Sequence, residues 1–372
     1  MLTPEDLQRY SRQIILPQVG QAGQERLKAA RVLIVGVGGL GAPLALYLAA
    51  AGIGELILVD PDHVSLNNLH RQILYAIEDL RQPKVEIAAR ELSKRAPTKI
   101  TTHTQALTEE NAADLIQSAD IVCDGTDNFT ARYLVNDFAI KHGKPNVHAA
   151  IFQFQGQISV FGANQGPCYR CLFPNRPKNA PSCAEAGVFG VLPGVMALFQ
   201  ATEVIKLILN LGDPLIGRLL LYDALAAKTS EIKFRRNPNC PSCGPNRNES
   251  FLSKAYSDLQ SCEMNPTVPE LTPLELKQEL ESPNPPIVVD VREAHEREIS
   301  TLPNTIHIPM GEIADRIQEL DPNANLVIQC RSGGRSAQVA AYLLGQGFKQ
   351  VRNLATGING WAKTVDPTVP TY

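Results

Sequence analysis

The chain has 372 residues, 44% hydrophobic and 20% charged, with a formal net charge of −3. That length predicts roughly two or three domains with ample core, and the small net charge gives no electrostatic basis for holding nucleic acid or a membrane surface. The polar start MLTPEDLQRYSRQ is no secretory signal, and eight cysteines without one predict metal or thiol chemistry rather than a disulfide framework; the expected compartment is the cytoplasm.

Residues 1–30 read as helical and charged. Residues 32–35 form an apolar strand that empties into Gly36-Val37-Gly38-Gly39-Leu40-Gly41. An Ala/Leu-rich helix follows, broken at Gly52, and a second strand at 56–59 ends on Asp60. Glycines accept positive φ and let phosphates approach the backbone. The helix N-terminus behind them offers unpaired N–H groups to an anion, and Asp60 stands where a carboxylate would meet a ribose hydroxyl. The stretch carries no charge from 32 to 54, but its glycines and Pro43 argue against a membrane span. A nucleotide site is expected; the loop alone fits NAD enzymes as well.

Beyond it, residues 62–81 are polar, a helix is expected over 84–94, a strand at 100–104 and a helix near Glu109. A buried strand at 119–124, containing Cys123 as a core residue, runs into the turn Gly125-Thr126-Asp127-Asn128 and another helix. Strands alternating with helices predict a parallel sheet covered on both faces. The texture then changes. Residues 151–161 alternate like one antiparallel strand, 166–171 form a cysteine-bearing turn, and 174–185 read as loop. A buried helix is expected over 188–210, started or bent at Pro193, followed by strands at 219–222 and 228–234.

Residues 244–268 have no sustained period and read as an interdomain linker, with no role for Cys262. Thr272-Pro273-Leu274-Glu275 then carries an N-cap, a proline at the first helical position and an acid at the third. Strands at 287–291 and 326–329 and a helix through Leu344 complete a second α/β unit of ordinary domain size.

Three groups of residues carry chemistry. Cys168-x-x-Cys171 and Cys240-x-x-Cys243 are two pairs at zinc-ligand spacing, and four thiolates close a structural Zn²⁺ site with no open position; a redox dithiol is the alternative for either pair alone. Asp60, Asp62, Asn67, Asn68, Arg71, Gln72 and Lys84 crowd a short stretch after the second strand. Hydride transfer has no general need for an Arg and a Lys there, whereas a triphosphate does. Cys330 ends a strand and opens Arg331-Ser332-Gly333-Gly334-Arg335-Ser336, whose N–H groups and helix N-terminus favour a thiolate.

Together, Arg9-Tyr10-Ser11-Arg12-Gln13, Gly36-x-Gly-Gly-x-Gly41, Asp60-x-Asp62, Asn68-x-x-Arg71-Gln72, Lys84, Asp127-Asn128, the two cysteine pairs and Ser182-Cys183-Ala184-Glu185-Ala186-Gly187 resemble the MoeB/ThiF family of ubiquitin-activating-enzyme-like adenylyltransferases. Asp290-Val-Arg292-Glu293, the stretch 302–309, Cys330 to Ser336 and Gly357-x-x-Gly360-Trp361 resemble a rhodanese domain. Asn304 stands where that family usually has glycine, a departure Asn can absorb in left-handed backbone.

The resemblance implies a Rossmann-like ATP-binding domain with a mostly parallel sheet and a zinc-pinned C-terminal part over 1–245, a linker over 246–269 and a small α/β rhodanese domain over 270–372. It implies that Gly39, Asp60, Asn67, Asn68, Leu69, His70, Arg71, Gln72 and Lys84 surround ATP, with Asp127 and Asn128 near Mg²⁺ and the adenylate. Arg12 would be supplied across a homodimer. The implied partner is a small ubiquitin-like sulfur carrier ending in Gly-Gly, adenylated at its C-terminal glycine and then thiolated from a Cys330 persulfide. Arg331 and Arg335 would bind the sulfur donor, thiosulfate or a cysteine desulfurase persulfide, and Cys183 would resolve the intermediate. Two other readings stay open: a conjugation activator working through a Cys183 thioester, and an NAD-dependent oxidoreductase. The residues do not choose among carriers for molybdopterin, thiamine or tRNA thiolation.

Overall fold

The computed structural model describes residues 1–175, 187–248, Leu252, Tyr256 and 268–372. The chain divides into two compact units, Met1–Leu259 and Gln260–Tyr372.

The first unit is built on one sheet of eight strands, β1 (Arg31–Val35), β2 (Glu55–Val59), β3 (Lys99–His103), β4 (Ile121–Asp124), β5 (Asn146–Phe152), β6 (Gln155–Phe161), β7 (Arg218–Asp223) and β8 (Lys228–Lys233). Their order across the sheet is β3-β2-β1-β4-β5-β6-β7-β8. Strands β1 to β5 pair in parallel and β5 to β8 antiparallel, so the sheet is mixed. Its parallel half has a core on both faces, and the side-chain period of two sorts residues between them. Val32, Ile34, Leu56, Leu58 and Cys123 enter one cluster; Leu33, Val35, Ile57, Val59 and Val122 enter the other. Order reverses between β1 and β4, which makes a crevice beyond their carboxyl ends.

The uncharged stretch after Arg31 is therefore strand, helix (Gly41–Ala51) and strand, with Gly52 closing the helix at φ 90°. Residues 151–161 are not one strand but the end of β5, a turn, and β6; Gln153 turns the chain in left-handed backbone at φ 52°. The expected buried helix spans Leu192–Leu209 with Pro193 in its first turn. It is long and apolar enough to cross a membrane, but half of it is buried in the unit. Its polar Gln200 donates Nε2 to the carbonyls of Asp124 at 2.9 Å and Val147 at 3.0 Å, which is the bonding of a core helix.

The stretch read as linker is in part docked. Leu252 and Tyr256 are buried in the same cluster as Phe161 and Tyr169. Two anchors in an otherwise aperiodic polar segment leave no period to read, which is why the sequence treats it as free chain. Cys262 and the 176–185 part of the expected loop lie outside the described residues.

The second unit is a parallel sheet of β9 (Glu270–Leu271), β10 (Ile287–Asp290), β11 (Thr305–His307), β12 (Asn325–Gln329) and β13 (Gln350–Leu354), ordered β11-β10-β12-β13-β9. Thr272 forms the expected capping box with Glu275 at the start of the helix Pro273–Leu280. Asn304 adopts φ 56°, the left-handed backbone expected of a residue in a glycine position.

Candidate functional sites

The loops after β1, β2 and β4 meet at the switch point. Gly36 has φ 86°, and a Cβ there would lie 2.8 Å from the Gly125 carbonyl. At Gly41 a Cβ would come within 1.9 Å of the Gly36 carbonyl. These two positions admit only glycine, and their close approach brings the 125–128 turn against the 36–41 loop. Among the described residues no side chain caps the helix Gly41–Ala51 at its N-terminus, so its first N–H groups have no side-chain acceptor there.

Asp60 joins two segments of the site. One carboxylate oxygen accepts the Val37 N–H at 2.7 Å and the other the Asp62 N–H at 2.8 Å, so it ties the glycine loop to the segment after β2. Burial pushes its carboxyl above the usual range, and the charge of Lys84 opposes that rise. Lys84 is itself buried and pairs with the exposed Asp62 at 2.8 Å. Tyr75 donates its hydroxyl to the Val37 carbonyl at 2.6 Å, a support the sequence did not mark.

The polar segment folds over the loop. Arg71 donates to the Asn67 carbonyl at 3.1 Å and to Asn68 Oδ1 at 3.0 Å, and Gln72 donates to the same oxygen at 2.9 Å. A Cβ on Gly39 would lie 3.5 Å from Arg71 Cγ, and one on Gly38 would lie 3.3 Å from Gln72 Nε2. Leu69 is half-buried and His70 exposed, with His70 Nε2 3.4 Å from Arg71 Nη1. Asn128 caps the helix Phe129–Lys141 through the Ala131 N–H, while Asp127 is exposed and its side chain has no partner among the described residues. Arg12, in the short helix Ser11–Ile14, is exposed and likewise without a side-chain partner among the described residues. Behind the turn, buried Asp124 accepts from His148 Nδ1 at 2.7 Å. Burial holds His148 below its ordinary pKa, so the ring is a neutral donor to a carboxylate. Asp124 and His148 lie 24 residues apart, and no local pattern marks them as a pair.

The second group is the cysteine cluster. Cys168, Cys171, Cys240 and Cys243 present sulfurs that all lie within 4.8 Å of one another, with contacts of 3.3, 3.5 and 3.9 Å. A tetrahedral thiolate site with bonds of about 2.3 Å has sulfur–sulfur edges of about 3.8 Å, so the set fits one metal ion. The Asn237 N–H donates to Cys171 Sγ at 3.3 Å. Arg170, between the first two cysteines, is buried and pairs with buried Asp137 at 2.8 Å.

The third is the loop after β12. Cys330 is fully buried, and its sulfur accepts from the Gly333 N–H and the Ser336 hydroxyl, both at 3.2 Å. Gly333 has φ 98° and opens the helix Gly334–Gly345. Arg335 turns away from solvent into a two-pronged pair with Glu296, at 2.7 and 2.6 Å. Arg331 lies over the ring of Tyr372, 5.3 Å from its centroid, and its guanidinium makes no hydrogen bond among the described residues. Neither Glu296 nor Tyr372 was legible as part of this site, because both reach it from far along the chain. Cys183 lies outside the described residues.

Residues 10–242 match the ThiF family and residues 272–364 the rhodanese-like domain. The chain is 36% identical to the Arabidopsis thaliana adenylyltransferase and sulfurtransferase MOCS3, over all of this chain and 86% of that one. It is 39% identical to the probable adenylyltransferase/sulfurtransferase MoeZ of Mycobacterium tuberculosis, over all of this chain and 96% of the relative. A sulfur carrier protein adenylyltransferase of Thermus thermophilus is 50% identical over 69% of this chain and 99% of its own. Among solved structures, E. coli MccB with ATP superposes with a TM-score of 0.55 at 27% identity, over 63% of this chain and 74% of that one. The glycine loop, the cysteine cluster and the Cys330 loop thus sit in a chain that belongs to the ThiF family, carries a C-terminal rhodanese-like domain, and is an adenylyltransferase and sulfurtransferase.

Proposed function

We propose that the chain activates a small ubiquitin-like sulfur carrier ending in Gly-Gly and converts its C-terminus to a thiocarboxylate. In this reading 1–245 is the adenylation domain, 246–269 an arm docked at Leu252 and Tyr256, and 270–372 the sulfur-carrying domain, working in the cytoplasm. The convergence of the 36–41 loop, Asp60, Arg71 and the Lys84–Asp62 pair at one sheet crevice carries the reading. A buried lysine lies after the same strand as Asp60, and among the described residues no side chain caps the N-terminus of the helix Gly41–Ala51, a set that suits a triphosphate better than a dinucleotide. That MccB is solved with ATP supports the same choice.

ATP lies against the loop, contacted by Gly39, the stretch 67–72 and Lys84. The carrier carboxylate attacks the α-phosphate and pyrophosphate leaves. Mg²⁺ held near Asp127 would offset the phosphate charge, and Arg12 of the partner subunit in a homodimer would add a cation whose side chain has no partner among the described residues of its own subunit. Cys330 accepts a sulfane sulfur from thiosulfate or a desulfurase persulfide, with Arg331 attracting the anion and Arg335 holding the loop through Glu296. The persulfide attacks the acyl-adenylate and AMP leaves. A second thiol, Cys183, then attacks the Cys330 sulfur, releasing thiocarboxylate and leaving a disulfide for a cellular thiol to reduce. The four clustered cysteines would hold one structural Zn²⁺, which would tie the 240–243 turn to the 168–171 turn.

Two variants test the division. Cys330→Ala should keep carrier-dependent exchange of labelled pyrophosphate into ATP and lose sulfur release from thiosulfate; Lys84→Ala should do the reverse. Arg12→Ala should lose exchange by about 10²–10³-fold, the usual loss for one donor to developing charge. Mixing it with Lys84→Ala should restore part of that. Loss of exchange in folded Cys330→Ala would overturn the scheme, and no recovery in confirmed mixed dimers would overturn the role of Arg12 across the dimer.

A further inference from the structure

Tyr372 is held at the Cys330 loop from three sides. Its hydroxyl accepts from Arg292 Nη1 at 2.8 Å and donates to Glu296 Oε1 at 3.1 Å. Arg292 is fully buried and clamped by Asp290, with Nη2 to Oδ2 at 2.7 Å, so the hydroxyl hangs from a rigid support. The Tyr372 backbone is bound by Asn359, whose Nδ2 donates to its carbonyl at 3.0 Å and whose Oδ1 accepts its N–H at 3.4 Å. The Asn359 backbone N–H in turn donates to the Arg331 carbonyl at 3.1 Å, and the Ile358 N–H to the Cys330 carbonyl at 2.9 Å. The circuit closes where the Arg331 guanidinium lies on the Tyr372 ring.

An arginine that makes no hydrogen bond keeps its five donors for a ligand, yet a free arginine must lose rotamer freedom when it binds one. A ring fixed by its hydroxyl and its backbone removes that loss beforehand while leaving the donors at the guanidinium edge open. We propose that Tyr372 is a positioning residue for sulfur transfer: its ring seats Arg331 beside Cys330 so that the guanidinium edge meets a small sulfur-bearing anion. The proposal rests on the reading of Arg331 as the donor-binding cation. Arg335 is held against Glu296 through both Nη1 and Nη2, whereas the Arg331 guanidinium makes no hydrogen bond among the described residues and keeps all five donors to offer.

The test uses the full chain with thiosulfate as donor and cyanide as acceptor. Tyr372→Ala should raise the KM for thiosulfate roughly threefold, about what one partly exposed cation–π contact is worth, with kcat held within about twofold. Tyr372→Phe keeps the ring and the Asn359 bonds, and should keep most of the KM. In an Arg331→Ala background, Tyr372→Ala should add nothing to KM. A second measurement needs no turnover: the ratio of Cys330 alkylation rates by iodoacetate and iodoacetamide, read on the Cys330 peptide by mass. Arg331→Ala and Tyr372→Ala should lower that ratio alike, since only the anionic reagent uses the arginine. If Arg331→Ala lowers it and Tyr372→Ala does not, the positioning role is wrong and the donor site stands. If Arg331→Ala leaves both KM and ratio unchanged, the donor-binding reading itself fails, and the positioning role with it. A fall in kcat and melting temperature without a KM change, shared by Tyr372→Ala and Tyr372→Phe, would mark the residue as purely structural.

Discussion

The cysteine cluster of the first unit and Cys330 of the second are both sulfur sites, and both are braced in the same way. Beside the cluster, Arg170 pairs with Asp137, whose Oδ2 also accepts the Tyr256 hydroxyl at 2.8 Å. Beside Cys330, Arg335 pairs with Glu296, whose Oε1 also accepts the Tyr372 hydroxyl. Arginine, carboxylate and phenol fix each loop. What differs is the sulfur's own company. Each of the four clustered thiols has other sulfurs within 4.8 Å, a set that satisfies a metal and leaves no open position. Cys330 meets one N–H and one O–H, donors that orient the sulfur but cannot replace a reaction partner. The brace is shared, and in the proposed scheme the neighbours of the sulfur decide between scaffold and chemistry.

The strongest way to break this contrast is to remove one sulfur from each site. Cys240→Ser should abolish bound metal and cost the first unit several kcal/mol, about 10 °C or more in Tm, because metal binding at a closed site contributes folding free energy directly. Cys330→Ser should leave Tm within about 2 °C, as a near-isosteric change that keeps the loop bonds, while sulfur transfer disappears. Metal analysis and calorimetry decide. An unchanged Tm in Cys240→Ser, or a collapse in Cys330→Ser, would erase the distinction.

Much of this was legible in order along the chain. The glycine loop, each Cys-x-x-Cys pair and the Cys330 loop are local patterns of residues at fixed spacing, and Asp60 ends the strand that such a loop predicts, although the two cysteine pairs meet across 72 residues. The braces were not, because they are made by distance. Arg335 finds Glu296 across 39 residues and Asp137 finds Tyr256 across 119. Tyr256 lies in a segment with too few apolar residues to show a period, so its docking is set by one hydroxyl and its ring rather than by pattern. The hairpin at 153–154 failed for another reason: alternation continues through a turn of two residues, and the sequence carries no glycine there to mark the break.

A smaller effect is expected at the Cys330 brace. Against the burial that would raise it, Arg335 holds the Glu296 carboxyl down at about 2. A depressed carboxyl contributes its stability above its unfolded value, here 4.5, and loses it as pH falls from there toward 2. Glu296→Gln should therefore cost the second unit about 3 kcal/mol at pH 7, the scale for breaking a mostly buried pair. It should also flatten the dependence on pH between 4.5 and 2. The single tryptophan, Trp361, is buried in this unit, so its fluorescence follows the unit within the intact chain. An undiminished acid slope in Glu296→Gln would show that other carboxylates set it.

The smallest effect sharpens the comparison most, because it touches only the phenol of the first brace. Tyr256→Phe keeps the buried ring and removes one bond to Asp137, which retains Arg170 at 2.8 Å. A carboxylate that keeps a charged partner loses only the net worth of one charge-assisted bond, about 1–2 kcal/mol. Metal content should be unchanged, since the bond lies beyond the sulfurs. Proteolysis should change more than Tm does: Tyr256 and Leu252 dock the start of the arm, and a weaker dock opens locally before the unit unfolds. Limited digestion should thus cut Tyr256→Phe several-fold faster near residue 256, a larger change than its shift in Tm. Equal cutting rates would mean the ring alone holds the arm, and that the phenol of this brace, unlike its arginine, contributes nothing to the site.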